Sequence, residues 1–402
     1  MKDNCKGIKP QSKLIITEYR DKIVSVLTED SRPVQISLES KEQESILGNI
    51  YIGRVQNIVK NINAAFVEIA PGITGYYSLT ENRRHWLGDK PEERTLRIGD
   101  EIMVQVEKDG IKTKAPMLTS NISLAGKYCV LTVLFPNISF SGKIRSSQWK
   151  ETVKGLIEAR KQPSYGVIVR TNARDAGHEE ILQELDRLSG EFEKILAQRA
   201  FRACYSLLCE ASPPFLREIR NVYTDTLTAI VTDKQELYDE IFRYLSFNQP
   251  EDLDKLTFYE DSLLSLSSLY SLETVIGEAL QPRVWLKSGG YLVIEPTEAL
   301  TVIDVNTGKF SGHKNPQDTL MKINLEAARA VARELRLRNL SGIIVVDFID
   351  MESEENRKLL METLRSAVRK DPVKTTVVDM TKLGLIEITR KKVRPSLYQQ
   401  AR

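Results

Sequence analysis

TVIDVNTG, residues 301–308, runs as an apolar strand that carries a carboxylate at Asp304 and an amide at Asn306. A carboxylate removed from water without a partner costs several kcal/mol or stays protonated, so a buried acid here asks for a cation. The pattern recurs in GIIVVDFID, residues 342–350, where a purer apolar run ends on Asp347. Between the two, residues 315–339 place apolar side chains at helical spacing, opening after Asn315-Pro316. Strand, helix, strand in that order predicts a parallel βαβ unit with a right-handed crossover. The acids stand 43 residues apart, yet on parallel neighbours both would lie near carboxyl ends, where open α/β sheets place their sites. Two carboxylates there could hold one hard divalent cation, since Mg²⁺ takes one or two protein carboxylates and completes its shell with water and phosphate oxygens. Asn306, two residues on, shares a strand face with Asp304; its amide could hold that carboxylate or orient an attacking water. The bland alternative is that each Asp merely caps a loop or a helix.

Working outward, WLKSGGYLVIEPTEALTVIDVN (285–306) reads as two strands and a turn, residues 354–370 as a helix, and KTTVVDMT with LGLIEITRKK as two more strands. Residues 48–124 stay all-β, with short strands separated by Gly, Asn and Pro, and suit a small closed barrel of the OB type. Such barrels bind single-stranded nucleic acid by stacking bases on surface aromatics beside Lys and Arg. Phe66 and Tyr76 fall in consecutive strands, and Lys112 and Lys114 in the later KTK; the alternative is that Phe66 is a core residue. YGVIVRTNARDAG (165–177) is a strand ending on Arg170-Thr171, followed by a helix with apolar residues from Ile181 to Ile195. An Arg and a hydroxyl at a strand end could grip a phosphate, although strand-end arginines are common. Residues 234–247 and 261–280 read as further helices. Three N-terminal strand segments, 13–19, 21–30 and 34–39, are too few for a domain and should join something later in the chain.

Composition bounds the class. The chain has 402 residues, 41% hydrophobic and 28% charged, with a net charge of +2, an ordinary globular protein of two or more domains. Charge is uneven: residues 365–402 hold ten Lys or Arg against three Asp or Glu, whose plainest reading is a solvated surface. Cys5, Cys129, Cys204 and Cys209 make no CxxC pair, and Cys204 and Cys209 fall five apart in what reads as a helical pattern. Reduced thiols and a cytoplasmic location are expected. No apolar run approaches the ~18 residues of a membrane span, so no membrane partner is expected. The three histidines, His85, His178 and His313, are scattered, which argues against a histidine-based nuclease and for a metal-dependent one.

Three stretches, TEALTVIDVNTGKF, INLEAARAVARELRLRNLSGIIVVDFIDM and LGLIEITRKKVRPSL, closely resemble the catalytic region of the ribonuclease E/G family of bacterial endoribonucleases. GNIYIGRV, NAAFVEIA and ISLAGKY resemble its S1-type barrel and exit, and the resemblance runs from about residue 12 to residue 397. It implies an α/β multidomain fold in which an RNase H-like subdomain (residues 1–44 and 217–280) carries an inserted S1-type OB-fold barrel (45–125) and a 5′-sensor subdomain (126–216). A DNase I-like α/β catalytic subdomain (281–402) would follow. It further implies a Mg²⁺-dependent endoribonuclease, with Mn²⁺ as a candidate substitute, that cuts single-stranded RNA in RNA processing, rRNA processing and mRNA decay and favours 5′-monophosphorylated substrates. Asp304 and Asp347 match its metal-holding aspartates and Asn306 its supporting asparagine. Phe66, Tyr76 and Lys114 match residues gripping RNA; Tyr76 replaces a usual Phe. Arg170, Thr171 and Val130 match the 5′-phosphate pocket, and Lys374 stands where a relative can carry an RNA-binding Arg. The zinc-binding CPxC-type motif that can follow RPSL does not occur before Arg402; separately, no long low-complexity C-terminal stretch is present, so the chain resembles the short, ribonuclease G-like form of the family. Structural Zn²⁺ is therefore not expected from this chain, a zinc-linked dimer is doubtful, and homo-oligomerisation through the catalytic region stays open. A non-catalytic RNA-binding protein and a structural metal site without turnover are the alternatives.

Overall fold

The computed structural model describes residues 11–41, 45–88, 90–110, 114–223, 226–308 and 316–401; Cys5, Lys112 and His313 lie outside them. The chain forms two compact units, one from residues 1–41, 226–242 and 254–402, the other from residues 42–225 and 243–253.

The first unit is built on two sheets. Six strands order as Arg283–Trp285, Tyr291–Pro296, Leu300–Asn306, Gly342–Asp347, Ile386–Arg390 and Thr375–Met380. The central pair, Leu300–Asn306 with Gly342–Asp347, is parallel and bridged by the helix Pro316–Leu337, the βαβ unit that the sequence predicts. Its inward residues, Thr301, Ile303, Val305, Ile344 and Val346, are buried. They share a core with Ala327 and Val331 of that helix and Leu360 and Leu364 of Glu354–Val368. Val302, Asp304, Asn306, Ile343, Val345 and Asp347 occupy the opposite face. The expectation of a buried acid is thus corrected: Asp304 and Asp347 are exposed, because helices cover one face of the sheet and the residues alternate in and out.

The second sheet of this unit joins Ser12–Tyr19, Lys22–Glu29 and Arg32–Ser40 to Leu227–Thr232, which runs parallel to Ser12–Tyr19, and to Leu256–Phe258. The N-terminal strands do find later partners. Residues 261–280 are not one helix, as their periodicity suggests, but two, Leu266–Leu269 and Leu272–Leu280. Ser271 lies between them with a left-handed φ of 48°. The Ser265 hydroxyl caps the first by accepting the Ser268 N–H, local bonding by which serine competes with a continuous helix. The basic C-terminal stretch is also only partly a solvated surface. Arg390 is buried, with Nε 2.7 Å from Asp371 Oδ2 and Nη1 2.7 Å from Asn339 Oδ1.

In the second unit, Ile50–Val59, Ala64–Ala70, Ile73–Ser78, Met117–Thr119 and Glu101–Lys108 pair in that order. Glu101–Lys108 returns to Ile50–Val59 and closes a five-stranded, OB-like barrel. Val55, Val67, Tyr77, Val104 and Leu118 fill it. Beside it, a four-stranded sheet, Ser123–Ala125, Cys129–Thr132, Gly166–Val169 and Ile138–Phe140, packs with the helices Ser147–Arg160 and His178–Arg199. Cys204 and Cys209 are not helical. The helix ends at Arg199, Tyr205 takes a left-handed φ of 69°, and Leu207–Cys209 pairs with Ile50 and Tyr51 at the start of the first barrel strand.

Candidate functional site

Two parallel strands in matched register place Asp304 directly opposite Asp347, so the two backbones lie one strand spacing, about 4.8 Å, apart. Both carboxylates emerge on the open face at the carboxyl ends of their strands. Asn306 shares that face, and its Nδ2 donates to Asp304 Oδ2 at 2.7 Å. Partial burial, then the neighbouring Asp304 and Asp350, hold the Asp347 carboxyl above its ordinary value. Crowding of this kind is what a bound cation would relieve. Among the described residues no three His, Cys, Asp or Glu side chains converge as a metal cluster. The available donors are the two carboxylates and the carbonyl oxygen of Asn306, all of them oxygen. That set fits a hard cation which keeps part of its water shell.

The turns beyond both acids are fixed by the backbone and by one helix. Gly308, with φ +62°, ends the Asp304 strand where a Cβ would sit 2.2 Å from Gly289 O, so only glycine fits. Asn324, fully buried on Pro316–Leu337, donates to Ile349 O at 2.7 Å and accepts the Ile349 N–H at 3.1 Å. It thereby clamps the chain two residues past Asp347. Glu326, on the same helix, accepts the N–H groups of Lys287 and Ser288 at 2.7 and 3.1 Å. The sequence reading missed both residues, since a polar position inside an amphipathic helix carries no sign of what it will meet. Beside the acids, a cleft of about 220 Å³ is lined by Asp350, Arg357 and Lys382 among others. Lys374 is not brought to the acids. It is exposed just before Thr375, which pairs with Arg390, which in turn pairs with Gly342 at the start of the Asp347 strand. That end of the sheet is about 16 Å from Asp347 along the strand.

In the barrel, Phe66 and Tyr76 stand opposite each other on neighbouring strands, rings edge-on with centroids 6.2 Å apart. Both alternate with buried residues, Ala65 and Val67 in one strand, Gly75 and Tyr77 in the other. Phe66 is therefore half-buried on the outer wall and is not part of the barrel core. Lys114 is exposed and leads into the strand that pairs with Tyr76.

Arg170 follows the Gly166–Val169 strand, and its backbone N–H is held by Tyr128 O at 2.7 Å. Its guanidinium donates to Gly126 O at 2.5 Å and Asn221 Oδ1 at 2.6 Å. Both acceptors are uncharged, and among the described residues no carboxylate makes an ion pair with it. Burial, then the like charge of Arg220, lower its pKa to about 10. Arg220 is itself lowered by burial; it donates to Ala125 O at 2.9 Å, and its Nε has no hydrogen-bond partner among the described residues. Thr171 Oγ1 lies 2.9 Å from Ser141 Oγ. Val130 is half-buried on the strand that pairs with Gly166–Val169. Glu184, buried beneath them, accepts the N–H groups of Lys127, Tyr128 and Cys129 at 2.6, 2.7 and 2.7 Å. Arg220 and Glu184 are further residues that sequence spacing could not have gathered.

A family model described as the ribonuclease E/G family matches residues 123–393. The chain is 35% identical to ribonuclease G of Haemophilus influenzae over 392 residues, 95% of this chain and 79% of that protein. The chain belongs to the ribonuclease E/G family. Ribonuclease G of Escherichia coli K12 is 35% identical over 374 residues, 90% of this chain and 76% of that one. Ribonuclease E of Nostoc sp. is 34% identical over 399 residues, 96% of this chain but 57% of its own length. This ribonuclease E/G family member is thus an enzyme of that type, and the matched span includes both acids of the open sheet face. No helix among its described residues is long and apolar enough to cross a membrane.

Proposed function

We propose that the chain is a Mg²⁺-dependent endoribonuclease of RNA processing and decay, acting in the cytoplasm on single-stranded RNA and favouring substrates with a 5′-monophosphate. The observation that carries this reading is Asp304 and Asp347 in register on an open sheet face, with Asn306 on the Asp304 carboxylate. A protein that only bound RNA would gain nothing from two carboxylates facing a polyanion, which they repel unless a cation intervenes. In this assignment Asp304 and Asp347 hold the ion. When bound, Mg²⁺ polarises a phosphodiester and lowers the pKa of bound water. Asn306 fixes one Asp304 oxygen and leaves the other free, while Asn324 keeps the loop after Asp347 from drifting. Cleavage would leave a 3′-hydroxyl and a 5′-phosphate.

Phe66 and Tyr76 offer exposed ring surface for unpaired bases, with Lys114 nearby in the chain for the backbone. Lys374 is assigned to a phosphate remote from the cut. Arg170, Thr171 and Val130 form the 5′-phosphate pocket, with Arg220 beside them; both arginines are half-buried and hydrogen-bond only to neutral acceptors. We assign the three-stranded N-terminal meander and residues 217–280 to an RNase H-like subdomain carrying the barrel and sensor, and residues 281–402 to a DNase I-like catalytic subdomain. The deciding experiment is cleavage of a short A/U-rich RNA with a 5′-monophosphate, in Mg²⁺ and in EDTA, beside Asp304→Asn and Asp347→Asn. Internal cuts only in Mg²⁺ and only in the wild type are expected. Cuts that persist in EDTA or in either variant would overturn the assignment.

A further inference from the structure

The sheet face that carries the acids also carries an aromatic cluster that none of the foregoing roles uses. Trp285 pairs with Tyr291, and Tyr291 with Asn306, so the three side chains form one row across neighbouring strands. The next row runs Arg283, Val293, Asp304, Asp347. Val284 packs inward against the helix-covered core, which sends Arg283 and Trp285 to the open face. There the Trp285 and Tyr291 rings lie 5.2 Å apart at 58°, and the Arg283 guanidinium sits 4.7 Å from the Tyr291 centroid and 5.8 Å from that of Trp285. Trp285 is 63% exposed. Arg283 makes no ion pair among the described residues. The turn between the two strands is held by Glu326 through the Lys287 and Ser288 N–H groups, so the hairpin presents its rings from a fixed backbone.

We propose that Trp285 is a stacking platform for one base of the single-stranded RNA next to the scissile phosphate, with Arg283 contacting the adjoining phosphate. The proposal rests on the acid pair being the cleavage site and adds a specificity-determining contact to it. Two strand spacings, about 10 Å, separate the Trp285 and Asn306 backbones, within reach of a nucleotide neighbouring the one cut. A large ring left open to water beside an unpaired guanidinium matches a base and its phosphate, because every base has an apolar face and every linkage a negative charge. It does not match an acidic or purely apolar partner equally, since each would leave one half of the cluster unused.

The test measures KM and kcat for cleavage of a short, 3′-labelled A/U-rich RNA by wild type, Trp285→Phe, Trp285→Ala and Arg283→Ala. It is repeated with abasic nucleotides placed one at a time around the cut. Trp285→Ala should raise KM about tenfold, the worth of one lost stack, with a smaller change in kcat. Trp285→Phe should recover most of the loss. One abasic position should weaken wild type equally and add nothing to Trp285→Ala, as expected for a pair that interacts directly. An unchanged KM in Trp285→Ala, or abasic penalties identical in both proteins at every position, overturns the platform. So does a shift in oligomeric mass with RNA affinity intact, which would give the patch to a protein contact. If the wild type does not cut at all, anisotropy with the same RNAs still decides. Weakened binding by Trp285→Ala would keep the platform while the catalytic assignment fails.

Discussion

A single amide separates Asp304 from being merely an exposed acid. The Asn306 Nδ2 donor, 2.7 Å from one carboxylate oxygen, fixes how the other is presented. Groups that orient a metal-holding side chain commonly cost 10–100-fold when removed. Asn306→Ala should therefore lower the cleavage rate by about 10–100-fold and raise the Mg²⁺ concentration needed for half-maximal rate. A Mg²⁺ titration of both proteins checks this, and an unshifted midpoint would reduce Asn306 to a loop residue. Gly126 poses a different constraint at the same scale. A Cβ there would stand 2.3 Å from Glu184 Cδ, and that carboxylate is held by three consecutive N–H groups. Since Glu184 cannot swing away without orphaning them, Gly126→Ala should destabilise the second unit by about 1–3 kcal/mol, read by chemical denaturation. Equal stability would show that the Lys127–Cys129 backbone can yield.

Elements explain which parts of this molecule the sequence discloses. Leu300–Asn306 and Gly342–Asp347 declare their parallel pairing through the order strand, helix, strand, whereas their apolar runs suggest buried acids and hide the open face on which Asp304 and Asp347 stand. The barrel was legible from short strands and turn residues. What the sequence withheld follows from weak local signals. The helix Ser147–Arg160 buries only Val153 and Ile157, too few for a periodic stripe, and was not recognised. Asn324 and Glu326 look like ordinary polar helix positions until the helix meets two loops. In the barrel the same alternation that hides Tyr77 leaves Phe66 half-buried on the outer wall. Phe66→Ala should thus weaken RNA binding by ~1–3 kcal/mol with little change in melting temperature, and a large drop in melting temperature would return it to the core. Buried within the barrel, Tyr77 Oη lies 2.7 Å from His85 Nδ1 and 2.6 Å from Ser120 Oγ. Burial, then the positive charge of Arg94, hold His85 below its ordinary value. The unfolded chain takes up a proton near pH 6.5 that the folded barrel resists, so this stability is present above about pH 6.5 and lost as pH falls through the lower folded value. Denaturation midpoints should fall on acidification more steeply for wild type than for His85→Gln; parallel slopes would remove His85 as the cause.

At the scale of the whole molecule, a net charge of only +2 gives RNA little general attraction, so selectivity must come from localised cations. Arg170 and Arg220 are unlike the exposed lysines and arginines. Both are largely desolvated and both donate to neutral acceptors; burial, then Arg220, lowers Arg170, and burial, then Arg217 and Arg187, lowers Arg220, while the nearby Glu184 carboxylate opposes both shifts. Glu184 offsets only part of the repulsion between two such desolvated cations, so a further anion would stabilise the pair. In the proposed reading a terminal monophosphate would supply that anion, whereas a 5′-hydroxyl would supply none. Arg170→Ala should therefore leave cleavage of 5′-hydroxyl RNA close to the wild-type rate and bring the 5′-monophosphorylated rate down to it. Losing one charge-assisted contact is worth about 1.5–3 kcal/mol, a preference of roughly 10–150-fold erased. Arg170→Lys, which keeps the charge but not the planar fork held by Gly126 and Asn221, should recover only part of it. Competition between the two RNAs in one reaction measures the ratio directly. A preference that survives Arg170→Ala unchanged would place the 5′ end elsewhere and leave the paired arginines as scaffolding for the Glu184 loop. A preference lost from both RNAs alike, with falling rates on each, would instead mean that Arg170 supports the fold of the second unit and reads no phosphate.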